Sequence, residues 1–372
     1  MRTQALVNTA VDAPFVLTDI ELGEPQENEV LVEIVACGLC HTELVMQAGQ
    51  IPTEWPSILG HEGSGTVVKA GSGVEHKYQP GDVVLLSFAS CQSCASCSSS
   101  RPAGCSSWVE HNFGRRRAKD EPVATTCHDG TPLKGTFFGQ SSLARHALVQ
   151  ASSCVKIAKD TPRDTLALYS PLGCGLQTGA GAVINVLRPR REDSIVVFGL
   201  GAVGFAAVFA ASYLGVSTII AVDLVPSRLA LALETGAHHT IDGSRADVVE
   251  QIQKLTDGGA TYAIEATGVV PVLRNAWASL AYAGTVVSLG NPGPGIRPPF
   301  DVHDMVNTGK AWRGCVEGDS NPPQFIPFLI ELYKQGKFPI DRLSKLYPVE
   351  EWDAAVSAMK SGEVIKPIIT FK

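Results

Sequence analysis

Basic charge is scarce in this chain: 30 Lys and Arg stand against 37 Asp and Glu, a formal net charge of −7. That balance disfavours nucleic acid or an anionic membrane surface as a main partner. Charge of either sign is thin at 18% of residues, while hydrophobic residues reach 45%. This is the composition of a folded globular chain and excludes a disordered one. The opening MRTQALVNTAVD lacks the apolar core of a secretory leader, and the ending Thr370-Phe371-Lys372 lacks a peroxisomal address. The expectation is a cytoplasmic protein whose ten cysteines are reduced. Clustered cysteines in that setting read as metal ligands, not disulfides. A length of 372 residues predicts two domains, each with its own core.

What is present is organised around residues 194–223, SIVVFGLGAVGFAAVFAASYLGVSTIIAVD. The first 29 of these lack any charge, so hydropathy alone would read a membrane span. The glycines and the β-branched run at each end exclude it, since a parallel strand buried on both faces is continuously apolar for soluble reasons. The pattern predicts a strand, the turn Gly199-Leu200-Gly201-Ala202-Val203-Gly204, a helix over 202–214, a second strand and a terminal acid, Asp223. In such a unit Gly199 permits the turn, Gly201 admits a pyrophosphate, and Gly204 lets helix and strand approach. The helix N-terminus offers free N–H groups to phosphate, and Asp223 is placed for a ribose diol.

Six candidate strands, at 194–198, 218–222, 239–241, 261–265, 285–289 and 311–316, alternate with helical segments and predict a doubly wound parallel sheet. The first half is β-rich instead, with strands expected over 4–7, 15–20 and 29–36, and the β pattern returns over 137–149. Helices at 324–335 and 350–360 and a strand at 365–371 close the chain and are expected to return to the first domain. His238-His239, at a strand start, reads as structural.

Cys91-x2-Cys94-x2-Cys97-x7-Cys105 is the most specific spacing. Four thiolates without a histidine suit a closed structural zinc; unliganded surface thiols and a nucleic-acid zinc knuckle are the weaker readings. Arg115-Arg116-Arg117 reads as a solvated loop face, with an acidic substrate as its less favoured use, and Cys127-His128 reads as inert.

Cys40-His41-Thr42, Gly60-His61-Glu62, the four-cysteine lobe, Gly173-Cys174-Gly175 and GLGAVG stand in one order. Together they resemble the zinc-containing alcohol dehydrogenases of the medium-chain dehydrogenase/reductase superfamily. Phe137-Phe138-Gly139-Gln140-Ser141-Ser142 and Glu317-Gly318-Asp319-Ser320 resemble its aryl (benzyl) alcohol branch. The resemblance implies a β-rich GroES-like catalytic domain (1–174), a Rossmann domain (175–317) and a C-terminal return (318–372). It implies NAD and two zinc ions, the catalytic one held by Cys40, His61 and Cys174 with one position open. Glu62 and Glu43 would be supporting acids, Glu43 standing where relatives often carry Asp. Thr42 would pass on the alcohol proton. His41 and Lys366 would face the cofactor pyrophosphate, Arg228 the adenosine ribose, and Thr178 the nicotinamide, with Ala202 and Val203 at the phosphate turn. Ile51, Trp55, Phe137 and Phe138 would line the pocket for an aromatic or allylic primary alcohol or its aldehyde. Relatives often carry a histidine at position 45, ending a proton relay; this chain has Val45. Cys37, Cys154 and Cys315 read as small buried hydrophobes. A homodimer or homotetramer without nucleic-acid or membrane partners follows. A glutathione-adduct or polyol dehydrogenase on the same scaffold is the rival reading, and a non-catalytic dinucleotide sensor the reading from another class.

Overall fold

A computed structural model describes residues 1–114, 125–297 and 300–371. The chain divides into two compact units. The first comprises Met1–Cys174, Asn321–Ile330 and Ile340–Lys372; the second comprises Gly175–Ser320 and Glu331–Pro339. The tail therefore does not travel as one piece, because residues 331–339 stay with the second unit.

The first unit is built on a sheet whose strands run in the order Ser344–Pro348, Lys366–Thr370, Glu29–Gly38, Gly63–Ala70, Val83–Leu86 and Cys154–Lys156, with His146–Gln150 also paired to Glu29–Gly38. Lys366–Thr370 pairs antiparallel with Glu29–Gly38 through Ile369 opposite Cys37. A smaller sheet carries Ser57–Ile58, Arg2–Asn8, Val16–Leu22 and Thr125–Cys127. Glu29–Gly38 is buried along nearly its whole length, consistent with its place inside the larger sheet. Its last residues feed directly into Cys40 and the helix His41–Gln47.

Among the described residues of the second unit six strands form a parallel sheet, ordered His239–Asp242, Thr218–Asp223, Ser194–Phe198, Ala260–Glu265, Leu280–Ser288 and Ala311–Gly314. Numbered along the chain this is 3-2-1-4-5-6, the dinucleotide-binding order, with its crevice beyond the carboxyl ends of the first and fourth strands. The apolar run of 194–198 arises because Ile195, Val196 and Val197 are fully enclosed between the layers. The expected strands are found with ends shifted by a residue or two, as strand termini generally are, except that the one expected over 285–289 already begins at Leu280.

One expected stretch differs. Of the β pattern over 137–149, only His146–Gln150 is a strand; Phe137–Gly139 is a tight turn of helix and the loop onward is irregular.

Candidate active site

Two groups of metal-ligating side chains are found among the described residues, and in each the ligand atoms all lie within 4.8 Å of one another. Cys91, Cys94, Cys97 and Cys105 form the first. The short helix Ala95–Ser98 and the turn Pro102–Gly104 fold the lobe so that backbone N–H groups point at sulfur. Cys94 N donates to Cys91 Sγ at 3.3 Å, and Cys91 N to Cys105 Sγ at 3.4 Å. Backbone N–H groups of Cys97 and Ser106 pull the Cys94 thiol down to about 5. Four sulfurs so arranged fit a closed tetrahedral zinc.

Cys40, His61, Glu62 and Cys174 form the second group. Cys40 caps the helix His41–Gln47, His61 follows the positive-φ Gly60, and Cys174 ends the turn Ser170–Gly173. Gly60 is required there: a Cβ on it would stand 2.3 Å from the Leu143 nitrogen.

The His61 ring is fixed from behind. Nδ1–H donates to Glu43 Oε1 at 2.5 Å, and Glu43 Oε2 accepts from Cys40 N at 2.9 Å. Glu43 is fully buried and reaches both donors. Two ligand-bearing segments are oriented by one carboxylate, a support commonly found behind metal-bound histidine. His61 Nε2 is buried and has no hydrogen-bond partner. An orphaned imidazole nitrogen beside two cysteine sulfurs fits a zinc ligand set that keeps one position open. Burial disfavours the imidazolium, but Glu43 and the Cys40 thiolate outweigh it and raise the His61 pKa well above the ordinary value. Cys40 is drawn well down by Cys174, against burial, with help from His61 and Lys366. A metal entering here would have to displace the proton that His61 otherwise holds.

Glu62 and Lys366 are also enclosed, the ammonium reaching both carboxylate oxygens at 3.0 Å and the Leu39 carbonyl at 3.0 Å. Burial works against this charge, but Glu62 and Cys40 more than offset it and hold Lys366 above the usual lysine range. The resemblance gave Lys366 a role at the pyrophosphate; in the structure its ammonium is paired with Glu62, beside Cys40, His61 and Cys174. His41 is exposed at the first position of its helix, and Thr42 is half-buried with Oγ1 3.5 Å from Cys40 Sγ. Val45, one turn further on, is half-buried.

Phe137 and Phe138 are buried against the His61 ring, at centroid distances of 5.3 and 4.5 Å. Trp108 and Phe113 extend the wall, Phe113 lying 5.2 Å from Phe138 and Trp108 5.8 Å. Sequence reasoning missed these two; the polar residues around them gave no periodic signal. Ile51 packs on the same core, and Trp55 is half-buried in the loop that follows. Arg115–Arg117 lie outside the described residues.

The second unit holds the glycine turn. Gly199 has φ +88°, and a Cβ on Gly204 would stand 1.8 Å from the Gly199 oxygen. Around Gly201, by contrast, a Cβ would meet nothing within 4 Å, which leaves room for a phosphate. Ala202 and Val203 open the helix Ala202–Tyr213, whose free N–H groups face that space. Asp223 accepts from Leu200 N at 2.6 Å and Val225 N at 2.9 Å, so it braces the turn besides ending its strand. Arg228 Nη1 lies 4.0 Å from Asp223. Thr178 donates to the buried Glu317 at 3.4 Å. These residues fit a dinucleotide.

Residues 26–159 match the family model of the alcohol dehydrogenase GroES-like domain, and residues 202–334 that of the zinc-binding dehydrogenase. A geraniol dehydrogenase of Castellaniella defragrans is 38% identical over 99% of this chain and 97% of its own length. The chain belongs to the zinc-containing alcohol dehydrogenases of the medium-chain superfamily. A crystal structure of benzyl alcohol dehydrogenase from Acinetobacter calcoaceticus matches with a TM-score of 0.94 and 40% identity, each chain covered fully. An S-(hydroxymethyl)glutathione dehydrogenase of Paracoccus denitrificans is 30% identical over the full length of both chains. The protein is thus an oxidoreductase of alcohols of the zinc-dependent type.

Proposed function

We propose that this dehydrogenase interconverts bulky primary alcohols, aromatic or allylic, and their aldehydes. The observation that carries the reading is the aromatic wall of Phe137, Phe138, Trp108 and Phe113 set against the His61 ring. A flat unsaturated substrate stacks or meets such rings edge-on, each contact contributing about 0.5–1.5 kcal/mol beyond area burial. Relatives named for geraniol and benzyl alcohol support the same substrate class.

Cys40, His61 and Cys174 would hold the catalytic zinc; Cys91, Cys94, Cys97 and Cys105 the structural one; and Gly199, Gly201, Gly204 and Asp223 the NAD. When bound, these groups supply a Lewis acid for the alcohol oxygen and an acceptor for hydride. The chain does the rest. Glu43 keeps the proton on His61 Nδ1, which fixes the tautomer that presents Nε2. Thr42 Oγ1 takes the alcohol proton and passes it on. Val45 carries no proton, so the exit runs to water or to the exposed His41. The phenylalanines exclude water from the reacting carbon. His41 and Arg228 would face cofactor phosphate and ribose, Thr178 the nicotinamide end. The four thiolate ligands of the lobe suit a reducing cytoplasm, and a homodimer or homotetramer is the assembly proposed.

An NAD⁺-reduction screen over aliphatic, allylic, aromatic and polyol alcohols and S-hydroxymethylglutathione tests the reading. Aromatic and allylic alcohols are expected to give the highest kcat/KM. A polyol or the glutathione adduct in first place would overturn it.

A further inference from the structure

Gln140 belongs to neither metal-ligating group, yet its side chain is fully buried and every hydrogen-bonding site on its amide is used. Nε2 donates to the carbonyls of His61 and Ser87, both at 2.9 Å. Oε1 accepts from Gly63 N at 3.1 Å and Ser142 Oγ at 2.9 Å. Two carbonyls on one side and two donors on the other allow only one orientation of the amide.

The partners are not incidental. His61 is itself a metal-ligating residue. Ser87 directly follows the strand Val83–Leu86, and its Oγ donates to the Gly173 carbonyl at 2.7 Å. Gly173 precedes Cys174 and approaches the strand so closely that a Cβ would stand 1.9 Å from the Leu86 oxygen. The peptide that presents Cys174 is therefore seated on the same strand end that Gln140 clamps to His61. Leu86–Ser87 acts as a platform between two ligand segments that are more than a hundred residues apart in sequence.

We propose that Gln140 is a positioning residue for the Cys40/His61/Cys174 centre, acting directly on His61 and through Ser87 on Cys174. The inference rests on reading that centre as the zinc site. An amide is needed because its neighbours demand two donors and two acceptors at once. An ionised glutamate has no donors, so the His61 and Ser87 carbonyls would both face a carboxylate. The Ser87 hydroxyl transmits the constraint, and removing it loosens Cys174 while leaving the Gln140 amide in place.

The test compares wild type with Gln140→Glu and Ser87→Ala, each prepared with its full metal complement. Zinc dissociation constants come from chelator competition. Cobalt exchanged into the labile position reports ligand geometry by its visible bands, and thermal unfolding reports packing. Gln140→Glu is expected to weaken zinc at the labile site by about 10–100-fold, the usual effect of a lost support behind a metal ligand. Ser87→Ala should weaken it by a smaller factor. Both should shift the cobalt bands and retain the four-thiolate zinc. Lowered thermal stability with wild-type zinc affinity and wild-type bands in both variants would reduce Gln140 to packing and overturn the proposal. If Gln140→Glu does not fold, Ser87→Ala decides, and unchanged affinity and bands there overturn it equally. A wild-type protein that takes up no metal at Cys40, His61 and Cys174 would overturn the zinc reading and this proposal with it. Normal uptake by wild type, with wild-type affinity and bands in both variants, overturns this proposal alone.

Discussion

Replacing Glu43 with glutamine removes one oxygen and one charge from the residue that orients both His61 and Cys40. In the native site two N–H donors meet two carboxylate oxygens, at 2.5 and 2.9 Å. Glutamine satisfies one donor and turns its NH2 group on the other. One charge-assisted bond, worth about 1.5–3 kcal/mol, is lost and the survivor becomes an ordinary one. At roughly 1.4 kcal/mol per tenfold, that predicts zinc affinity at Cys40/His61/Cys174 lower by about 10–100-fold. Glu43→Asp keeps both acceptors and should fall short of this loss. The pH dependence adds a second check. Glu43 is one of the groups that raise His61, so in the metal-free protein it also strengthens the proton's hold on the ring. Wild-type zinc affinity therefore drops as pH falls through the raised His61 value, whereas the drop in Glu43→Gln begins at lower pH. The gap between the two proteins should narrow on acidification. Chelator competition from acid to neutral pH measures it; wild-type affinity in Glu43→Gln, or a gap that widens in acid, would refute the reasoning.

Mild chelation should abolish activity before it unfolds the protein, because only the three-ligand site keeps an exchangeable position; metal analysis that finds fewer than two zinc ions in fully active enzyme refutes the two-site reading. NAD should be preferred over NADP by about 5- to 150-fold in kcat/KM, the effect of 1–3 kcal/mol for an unsatisfied buried group at Asp223. Asp223→Ser should narrow that preference and, since Asp223 also braces Leu200 and Val225, lower NAD efficiency too; a native preference for NADP sinks the argument. Asp82 is buried, yet Lys156 at 2.7 Å and Lys159 at 2.8 Å hold its carboxyl far below the usual range. A depressed carboxyl stabilises the fold above its unfolded value of about 4 and loses that contribution as pH falls. Asp82→Asn should thus be less stable than wild type at pH 7, with the two converging in acid; a constant gap in urea unfolding contradicts this. Thr42→Ala should slow single-turnover hydride transfer by about 10²–10⁴-fold while Thr42→Ser keeps most of it, and near-normal transfer in the alanine variant would exclude Thr42 as first proton acceptor.

The two units were legible for different reasons. In the second unit the apolar five-residue strands, the glycine turn and the terminal acid are all local signals, so the parallel order follows from alternation and handedness alone. In the first unit the metal donors come from three segments spread over residues 40–174, and no periodicity connects them. They were found through resemblance, while the geometry that makes them a site was not legible at all. That Glu43 serves Cys40 and His61 together, or that Lys366 turns inward to Glu62, depends on strand pairing such as Ile369 opposite Cys37. Such long-range register leaves no mark in a window of sequence.

The stretch Phe137–Ser142 shows why local reading failed where the site is densest. Its two phenylalanines favour strand by composition. In the fold, Phe138 at φ +52°, Gly139 at +67° and Ser141 at +46° all adopt the left-handed region. Each non-glycine residue held there costs on the order of 1–3 kcal/mol and persists only where its surroundings over-determine it. Here they do: the two phenylalanine rings close on His61, Ser141 Oγ donates to the Ile58 carbonyl at 2.7 Å, and the Gln140 amide is saturated. Local bonds, Ser142 Oγ to Gln140 and Phe137 N to Ser141 Oγ, supply only part of those terms; the other partners lie at Ile58, His61, Gly63 and Ser87. The conformation is therefore a property of the assembled site, and a sequence pattern that looks like a strand becomes the loop packed and hydrogen-bonded around His61.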